Sequence, residues 1–452
     1  MTALLFDHAF LPQGWSTGVR IELEGSRIAE VTTRGPGGDT PSRPGIAIPG
    51  LPNLHSHSFQ RGMAGLAERR GDREDNFWTW RQIMYHFLGL LTPDDIEAIA
   101  AFAFVEMLEA GFTSVAEFHY LHHAPDGRPY DNPAELSERI VAAANATGIG
   151  LTLLPVLYSA SGFGGAPTSD GQRRFSNSLD RFLTLAQRAA SSAAMYGVQF
   201  GIAPHSLRAV PPEALKGLLA AHRSGPVHIH MAEQTREVDD CIAWSGKRPV
   251  EWLFDNVSVD DRWCLIHATH TDDTEIRLLA ESGAVAGLCP TTEANLGDGI
   301  FPAKAYLGAG GRFGVGSDSQ IEIGAAGELR QLEYSQRLSH RARNVLATHS
   351  GSSTGRELYE RALTGGAQAL ARPAGALAPQ HLADIVVLDG EHPNLAHRSG
   401  DRWLDAYLFT SPANIVRDVF VAGRHVVQDG RHRERERIEK AYKAVLGRIG
   451  DI

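Results

Sequence analysis

The stretch Ile46-Ala-Ile-Pro-Gly-Leu-Pro-Asn-Leu-His55-Ser-His57-Ser58 is typical of a buried strand that ends in two histidines. Side chains alternate between the two faces of a strand, so His55 and His57 point to the same side. Both imidazoles can therefore reach one metal ion. Three further strand-like runs, far downstream, end in His230-Met-Ala-Glu233, His267 and Ser317-Asp318-Ser319. Together these strand ends predict a hydrolytic metal site.

Strand-like and helix-like segments alternate through the middle of the chain. The strand-like runs are rich in β-branched and apolar residues, which suits a parallel sheet buried on both faces. One connecting helix is predicted to begin after Thr92 as its N-cap, with Pro93 in its first turn, and to end at Ala110 before Gly111. Eight alternations predict an α/β fold, a TIM-type (β/α)8 barrel with a long insertion after its first strand. The predicted strands are 45–57, 114–120, 151–159, 198–206, 227–233, 264–270, 284–290 and 313–319.

The two ends of the chain carry a different pattern. Residues 19–24 alternate between apolar and polar side chains, residues 383–388 are strand-like, and residues 416–427 are typical of a hairpin that turns at Ala422-Gly423. Both ends are therefore expected to build one small β-sandwich domain. Residues 431–452 are predicted to form a helix with mixed charges and a solvated face. The predicted domain boundaries are 1–48 and 375–430 for the small domain, 49–374 for the hydrolase barrel and 431–452 for the helix.

The placement of the polar clusters supports a barrel with a site at one end. Active sites of such barrels lie at the C-terminal ends of the strands. The clusters all fall at these ends of the predicted strands, namely His57, His119-Tyr120, His205, His230 to Glu233, His267 and Asp318. Scattered core or surface histidines would not share that placement.

Four residues are predicted to bind one divalent metal ion: His55, His57, His230 and Asp318. Histidine nitrogens and a carboxylate are the usual ligands of a zinc-like ion, and catalytic sites keep one position open. His228 shares a strand face with His230 and competes with it, but His230 lies nearer the strand end and Glu233. The fourth strand carries no lysine or acid that could bridge two metals, which favours a single ion. Zinc is the expected metal, although iron and manganese accept similar donors.

Glu233, His267 and Asp318 are the candidate catalytic residues. A divalent metal lowers the pKa of its water to about 7, and a base must still collect and relay the proton. Glu233 is predicted to be that shuttle, with Asp318 assisting. His267 is expected to orient the hydroxide or stabilise the tetrahedral adduct, with a role as a further metal ligand as the alternative.

The chain resembles the amidohydrolase superfamily in a barrel flanked by a split β domain and in the order of its motifs, which are His-X-His, His-X-X-Glu, His and Ser-Asp-Ser. The form His230-Met-Ala-Glu233 and the missing lysine resemble its mononuclear deaminases. Within these, five segments resemble the members that hydrolyse a formimino group: 51–66, 77–85, 117–123, 203–210 and 289–299. The resemblance implies metal-dependent hydrolytic deimination of N-formimino-L-glutamate to N-formyl-L-glutamate and ammonia, a step of bacterial histidine degradation. It also implies a homodimer.

Five residues are candidates for binding such a dicarboxylate substrate: Gln60, Arg81, Tyr120, His205 and Arg208. Carboxylates require arginine forks or other hydrogen-bond donors. Arg208 directly follows the fourth strand, whereas Arg81 lies in the aromatic insertion, which can serve as a lid or as a subunit contact. Arg81 can thus act in its own site or in that of a neighbouring subunit.

Two other functions compete with this interpretation. A mononuclear deaminase of a purine or other heterocycle would enclose a flat ring and would not require two carboxylate clamps. A non-catalytic amidohydrolase-like scaffold would be expected to lack metal ligands, and here the set is complete.

Composition limits the class of protein. The 452 residues carry a formal net charge of −10, which gives no electrostatic support for nucleic-acid binding. No run of about 18 apolar residues occurs and the first residues lack a basic lead, so neither a membrane span nor a signal peptide is expected. Three cysteines without a CxxC pair are typical of reduced thiols. The expected protein is a cytoplasmic enzyme with a small-molecule substrate and no membrane or nucleic-acid partner.

Overall fold

The computed structural model of the chain describes residues 2–33, 42–70, 75–410 and 415–450, and its strands form two separate sheets. The strands are β1 Thr2–Leu11, β2 Gly14–Glu24, β3 Arg27–Thr33, β4 Ser42–Pro49, β5 Leu51–Ser56, β6 Phe112–His119, β7 Gly150–Leu157, β8 Gln199–Phe200, β9 Ala203–Pro204, β10 Val227–Met231, β11 Trp263–His267, β12 Val285–Leu288, β13 Arg312–Val315, β14 Ile385–Leu388, β15 Val416–Val421, β16 Arg424–Gln428 and β17 Arg431–His432. The helices are α1 Phe77–Leu88, α2 Pro93–Glu109, α3 Glu135–Thr147, α4 Leu179–Met195, α5 Pro212–Ala221, α6 Thr235–Ser245, α7 Pro249–Asn256, α8 Asp273–Glu281, α9 Pro290–Leu296, α10 Ala303–Gly308, α11 Ala325–His340, α12 Thr354–Ala369, α13 Asp401–Phe409 and α14 Arg435–Ile449, with short 3-10 helices at Ser58–Met63 and Asp170–Gln172.

The central sheet is a closed parallel barrel. Its strands follow the order β10, β11, β12, β13, β5, β6, β7 and β8, all in parallel. The fourth strand of the barrel is divided into β8 and β9, which both pair with β7. Isolated β-bridges from Ile202 to Val227 and from Ser206 to His230 join this strand to β10 and close the barrel. The predicted (β/α)8 barrel is therefore confirmed.

The first long helix of the barrel, α2, shows how the local sequence determines where a helix begins and ends. Thr92 is the predicted N-cap, its hydroxyl and the Asp95 side chain form a capping box, Pro93 opens the first turn, and the helix ends before Ala110. Its inner face buries large apolar side chains such as Ile99 and Phe104. Burial of each such side chain contributes about 1.5–3 kcal/mol.

The second sheet is built from both ends of the chain, as predicted. Its order is β17, β16, β15, β14, β4, β1, β2 and β3, and β4 pairs in parallel with β1 and antiparallel with β14. The sheet has its own apolar core, which includes Phe6, Ile21 and Val387. The predicted first barrel strand, 45–57, is thus two strands: β4 belongs to the small sheet and β5 to the barrel. The chain passes between them at Gly50, where a β-carbon would lie 2.1 Å from a side-chain atom of Thr113.

The C-terminal helix differs from its prediction at its start and in its packing. Arg431–His432 is the short strand β17, and the helix begins only at Arg435; residues 451 and 452 lie outside the described part. Helix α14 is not merely a solvated face, because Ile438 and Tyr442 are buried and the Tyr442 ring stacks on Phe102 with centroids 4.1 Å apart. Among the described helices, none combines the length and apolar character that a membrane crossing requires.

Candidate active site

The four predicted metal ligands meet at the C-terminal end of the barrel. The Nε2 atoms of His55 and His57 each lie 3.4 Å from Asp318 Oδ1, and His230 Nε2 lies 3.1 Å from His55 Nε2. The ligand atoms of the three histidines lie within 4.8 Å of one another. Ligands about 2.0–2.2 Å from a tetrahedral ion are separated by distances of this size. The donor set therefore fits one divalent metal ion.

Hydrogen bonds to backbone oxygens orient two of the histidine rings for such an ion. His57 Nδ1 donates to the backbone oxygen of Phe118 over 2.9 Å, and His230 Nδ1 donates to that of His205 over 3.0 Å. Both rings then turn Nε2 toward the cluster, an arrangement typical of metal-binding histidines. Burial lowers the pKa of His55 to about 3 and holds that of His230 well below its usual range, so both imidazoles are neutral and can act as ligands.

Asp318 is held as a carboxylate within this cluster. Burial alone would raise its pKa, but the hydrogen bond from His55 and the neighbouring histidines, among them the charged His267, lower it well below its usual range. The backbone of Asp318 has a φ of +44°, and Ala232 and His267 likewise have positive φ values of +48° and +69°. Non-glycine residues with such angles cluster at functional sites, where the surrounding structure holds them.

Glu233 and His267 face the same side of the cluster. His267 Nε2 lies 3.7 Å from Glu233 Oε1 and 3.7 Å from Asp318 Oδ2. Burial raises the pKa of Glu233 to about 7, in the range of a group that both accepts and returns a proton. Burial lowers the pKa of His267, but the carboxylates of Glu233, Glu293 and Asp318 outweigh this and raise it to about 10.

The competing ligand His228 is directed away from the cluster. Its Nε2 donates to the backbone oxygen of Ala369 over 2.8 Å, so this ring nitrogen is already engaged outside the cluster. His267, Cys289 and Asp318 also have ligand atoms within 4.8 Å of one another. Burial raises the pKa of the Cys289 thiol well above its usual range, which makes this sulfur a poor ligand.

All five predicted substrate-binding residues line one cavity beside the cluster. The cavity encloses about 570 Å³ including its open mouth, and Glu233, His267 and Asp318 line it as well. Gln60 Nε2 donates to the Tyr120 hydroxyl over 3.1 Å, whereas its buried Oε1 has no hydrogen-bond partner among the described residues. His205 lies beside them, with Nδ1 3.1 Å from the hydroxyl of Ser206.

The two arginines lie on the same aromatic ring. The guanidinium carbon of Arg81 is 4.5 Å from the ring centroid of Trp78, and that of Arg208 is 5.8 Å from it. Within the described part of the chain, the Nε atoms of both arginines are buried without a hydrogen-bond partner. Arg208 Nε lies 3.6 Å from Glu237 Oε2, within ion-pair distance. Arg81 thus lines the cavity of its own chain, with donors left for a ligand anion.

Sequence reasoning missed the buried acids that support the site. Glu117 accepts hydrogen bonds from Ser56 Oγ and from both the backbone and the hydroxyl of Ser58, over 2.6–2.8 Å. Glu293 accepts one from His267 Nδ1 over 3.2 Å. Both acids lie within segments used for the resemblance, but only their burial reveals what they contact.

Comparisons with known proteins agree with this geometry. The model of the amidohydrolase family matches residues 46–426. A formimidoylglutamate deiminase of Pseudomonas aeruginosa is 54% identical over the full length of both chains, and a 5-methylthioadenosine/S-adenosylhomocysteine deaminase of Natronomonas pharaonis is 27% identical over 85% of this chain and 82% of its own. The crystal structure of an amidohydrolase from Brucella melitensis superimposes with a TM-score of 0.95, at 51% identity, over 99% of this chain and 100% of its own. The chain belongs to the amidohydrolase family.

Proposed function

We propose that this protein hydrolyses N-formimino-L-glutamate to N-formyl-L-glutamate and ammonia, as a step of histidine degradation. The observation that carries the proposal is the cavity that Arg81 and Arg208 line together with residues of a cluster of three histidines and a carboxylate. The full-length similarity to a formimidoylglutamate deiminase supports the same reaction.

His55, His57, His230 and Asp318 would hold the ion, and zinc fits three imidazoles and one carboxylate best. A bound divalent ion would lower the pKa of the reacting water to about 7. Glu233 then accepts the proton that the water loses as its oxygen attacks the formimino carbon. Asp318, which lines the same cavity, assists this deprotonation.

The remaining steps are assigned to the same residues. His267, charged through its carboxylate neighbours, donates a hydrogen bond to the oxygen of the tetrahedral adduct. The terminal nitrogen already carries the extra proton of the amidinium form, and Glu233 delivers to it the proton taken from the water. As the carbon–nitrogen bond breaks and ammonia leaves, the hydroxyl proton of the adduct passes to Asp318. The carbon keeps the water oxygen, which gives the formamide of N-formyl-L-glutamate.

The two carboxylates of the substrate would occupy two subsites. Arg81 and Arg208 form a cationic subsite, where each guanidinium can offer paired donors to a carboxylate. Gln60, Tyr120 and His205 form a second subsite of neutral donors nearer the cluster. A ligand with two carboxylates at a fixed spacing is thereby favoured over a flat, uncharged ring.

Cytoplasmic location and a homodimer also belong to the proposal. The three buried cysteines are unpaired, as is usual in a reducing compartment. The homodimer rests on the family resemblance, and light scattering of the purified protein would test it.

The competing function is deamination of an adenosine derivative, which the Natronomonas relative brings into consideration. We would compare kcat/KM of the metal-loaded protein for N-formimino-L-glutamate with that for S-adenosylhomocysteine. The proposal predicts ammonia release from the first substrate and at most a trace from the second. A reversed preference would assign the site to purine deamination.

A further inference from the structure

The segment after β12, Cys289-Pro-Thr-Thr-Glu-Ala-Asn-Leu-Gly-Asp298, has no part in the proposed chemistry, yet three of its side chains reach the site. It contains the short helix α9 and its C-terminal turn at Gly297. Thr292, Glu293 and Asp298 are each buried, with at most 5% of their surface exposed. Each of the three side chains supports a different residue that is proposed to handle protons, namely Asp318, His267 or Glu233.

Thr292 holds the turn that carries Asp318. Its hydroxyl accepts a hydrogen bond from the backbone nitrogen of Ser319 over 3.2 Å and lies 2.9 Å from the Ser319 hydroxyl. It also donates to the backbone oxygen of Ser317 over 3.4 Å. Asp318 lies between Ser317 and Ser319 and has a positive φ. The contacts of Thr292 therefore stabilise a strained turn on both sides of Asp318.

Glu293 holds the ring of His267. Its Oε1 accepts from His267 Nδ1 over 3.2 Å and from the backbone nitrogen of Cys289 over 2.9 Å. The backbone contact fixes the carboxylate, and the carboxylate fixes the ring with Nε2 toward Glu233 and Asp318. A histidine that gains a carboxylate partner at one nitrogen has its orientation and protonated nitrogen set by that partner.

Asp298 holds the loop that carries Glu233. Its Oδ1 accepts a hydrogen bond from Nε2 of Gln234, the residue after Glu233. Its backbone nitrogen donates to the backbone oxygen of Glu293 over 2.9 Å, and its backbone oxygen accepts from His270 Nε2 over 2.8 Å. The Asp298 carboxyl is therefore anchored to the same segment that orients His267.

We propose that Thr292, Glu293 and Asp298 are positioning residues that set the relative placement of Asp318, His267 and Glu233. The inference rests on the proposed function for the roles of those three residues. It assigns one task to one short segment, which is to fix the relative positions of three proton-handling groups that follow three different strands.

The test compares Glu293→Ala with Glu293→Gln, and Asp298→Ala with Asp298→Asn, in the metal-loaded protein. Loss of a supporting partner of this kind costs about 10–100-fold in activity. We expect the alanine variants to lose about that much in kcat, with KM and bound metal nearly unchanged. The amide variants keep an acceptor oxygen and should recover most of the loss.

A matched control is Glu328→Ala. Glu328 is a buried carboxylate on α11 that accepts from the backbone nitrogen of Thr291 over 3.0 Å, so it supports the same segment, and its recorded hydrogen bond goes to none of the three groups. We expect this variant to keep its kcat. An equal loss in Glu328→Ala and Glu293→Ala would overturn the positioning role, because any disturbance of the segment would then have the same effect.

Crystal structures of wild type and Glu293→Ala give a readout that needs no substrate. The proposal expects the His267 ring to turn away from Glu233 and Asp318 in the variant. An unmoved ring together with a wild-type kcat would contradict it. If the wild type does not release ammonia from N-formimino-L-glutamate, the proposed function fails, and the ring position still decides the positioning role. If Glu293→Ala does not fold, the Asp298 pair and Thr292→Val decide it in the same way.

Discussion

The backbone nitrogen of Asp318 donates a hydrogen bond to the backbone oxygen of His55 over 3.0 Å. The backbone nitrogen of His57 in turn donates to the oxygen of Asp318 over 3.0 Å. These bonds join the end of the last barrel strand to the end of the first, and they place the carboxylate of Asp318 between both histidines. Closure of the barrel therefore forms the proposed metal site, since neither strand alone carries all of its ligands.

Substitution of Glu233 by glutamine should separate metal binding from turnover. The amide cannot accept the water proton, and general acid–base groups contribute about 10²–10⁴-fold to the rate. We expect a loss of kcat of that size, with metal content equal to that of the wild type in elemental analysis. A variant that kept near-normal kcat would exclude Glu233 as the proton shuttle.

Removal of the metal should abolish activity and lower stability together. A ligand that binds only the folded protein stabilises it by about 2.7 kcal/mol at a free concentration of 100 times its Kd. We expect chelation to remove turnover and reduce the Tm, and zinc to restore both. Asp318→Asn should weaken this response, since it removes the only charged ligand of the proposed set. Full activity of metal-free protein would contradict the assignment of the cluster.

Substitution of Arg208 by glutamine should act on substrate affinity. A hydrogen bond to a charged group contributes about 1.5–3 kcal/mol, which corresponds to a loss of about 10–150-fold in kcat/KM. We expect this loss to appear mainly as a higher KM. Lys216→Gln, which removes an exposed cation from α5, is the control and should leave both constants unchanged. Equal effects of the two variants would mean that overall charge is responsible, without a carboxylate subsite.

His122 should make the folded state sensitive to acid. Burial lowers its pKa from 6.5 to about 3, and its Nε2 donates to the backbone oxygen of Val156 over 2.9 Å. Because the unfolded chain takes up the proton first, the stabilising contribution is complete above pH 6.5 and is lost as pH falls toward about 3.

The variant His122→Gln keeps an amide donor for Val156 but cannot titrate. We expect the Tm of the wild type to fall more steeply than that of the variant as the solution is acidified below the ordinary histidine pKa. Parallel curves for the two proteins would show that this histidine is not the source of acid sensitivity.

The structural features that depend on local sequence could be predicted. The N-cap at Thr92, the hairpin at Ala422-Gly423 and the eight barrel strands follow from turn chemistry and periodicity. The structure confirms these elements, although several of the strands end two to four residues before their predicted ends. The predicted site residues remain predictions as to their roles, although the structure brings them to one cavity. His228 and His230 share a strand face in the sequence, and only the contact between His228 and Ala369 separates them.

Features that depend on tertiary contact could not be predicted. The split of the first strand at Gly50 depends on which sheet each half joins, and the apolar pattern is the same in both. The late start of α14 depends on pairing of Arg431–His432 with β16, which overrides a helix-forming composition. Glu117 and Glu293 are ordinary acids in the sequence, and their roles arise from partners distant along the chain or on other strands.

The most direct test of the account is the product balance of the metal-loaded wild type with N-formimino-L-glutamate. The account predicts equal amounts of ammonia and N-formyl-L-glutamate, together with almost no ammonia from the metal-loaded Glu233→Gln variant. No ammonia from a wild-type protein that carries its full complement of metal would contradict it, and the cavity would then have to serve another amidine or purine substrate.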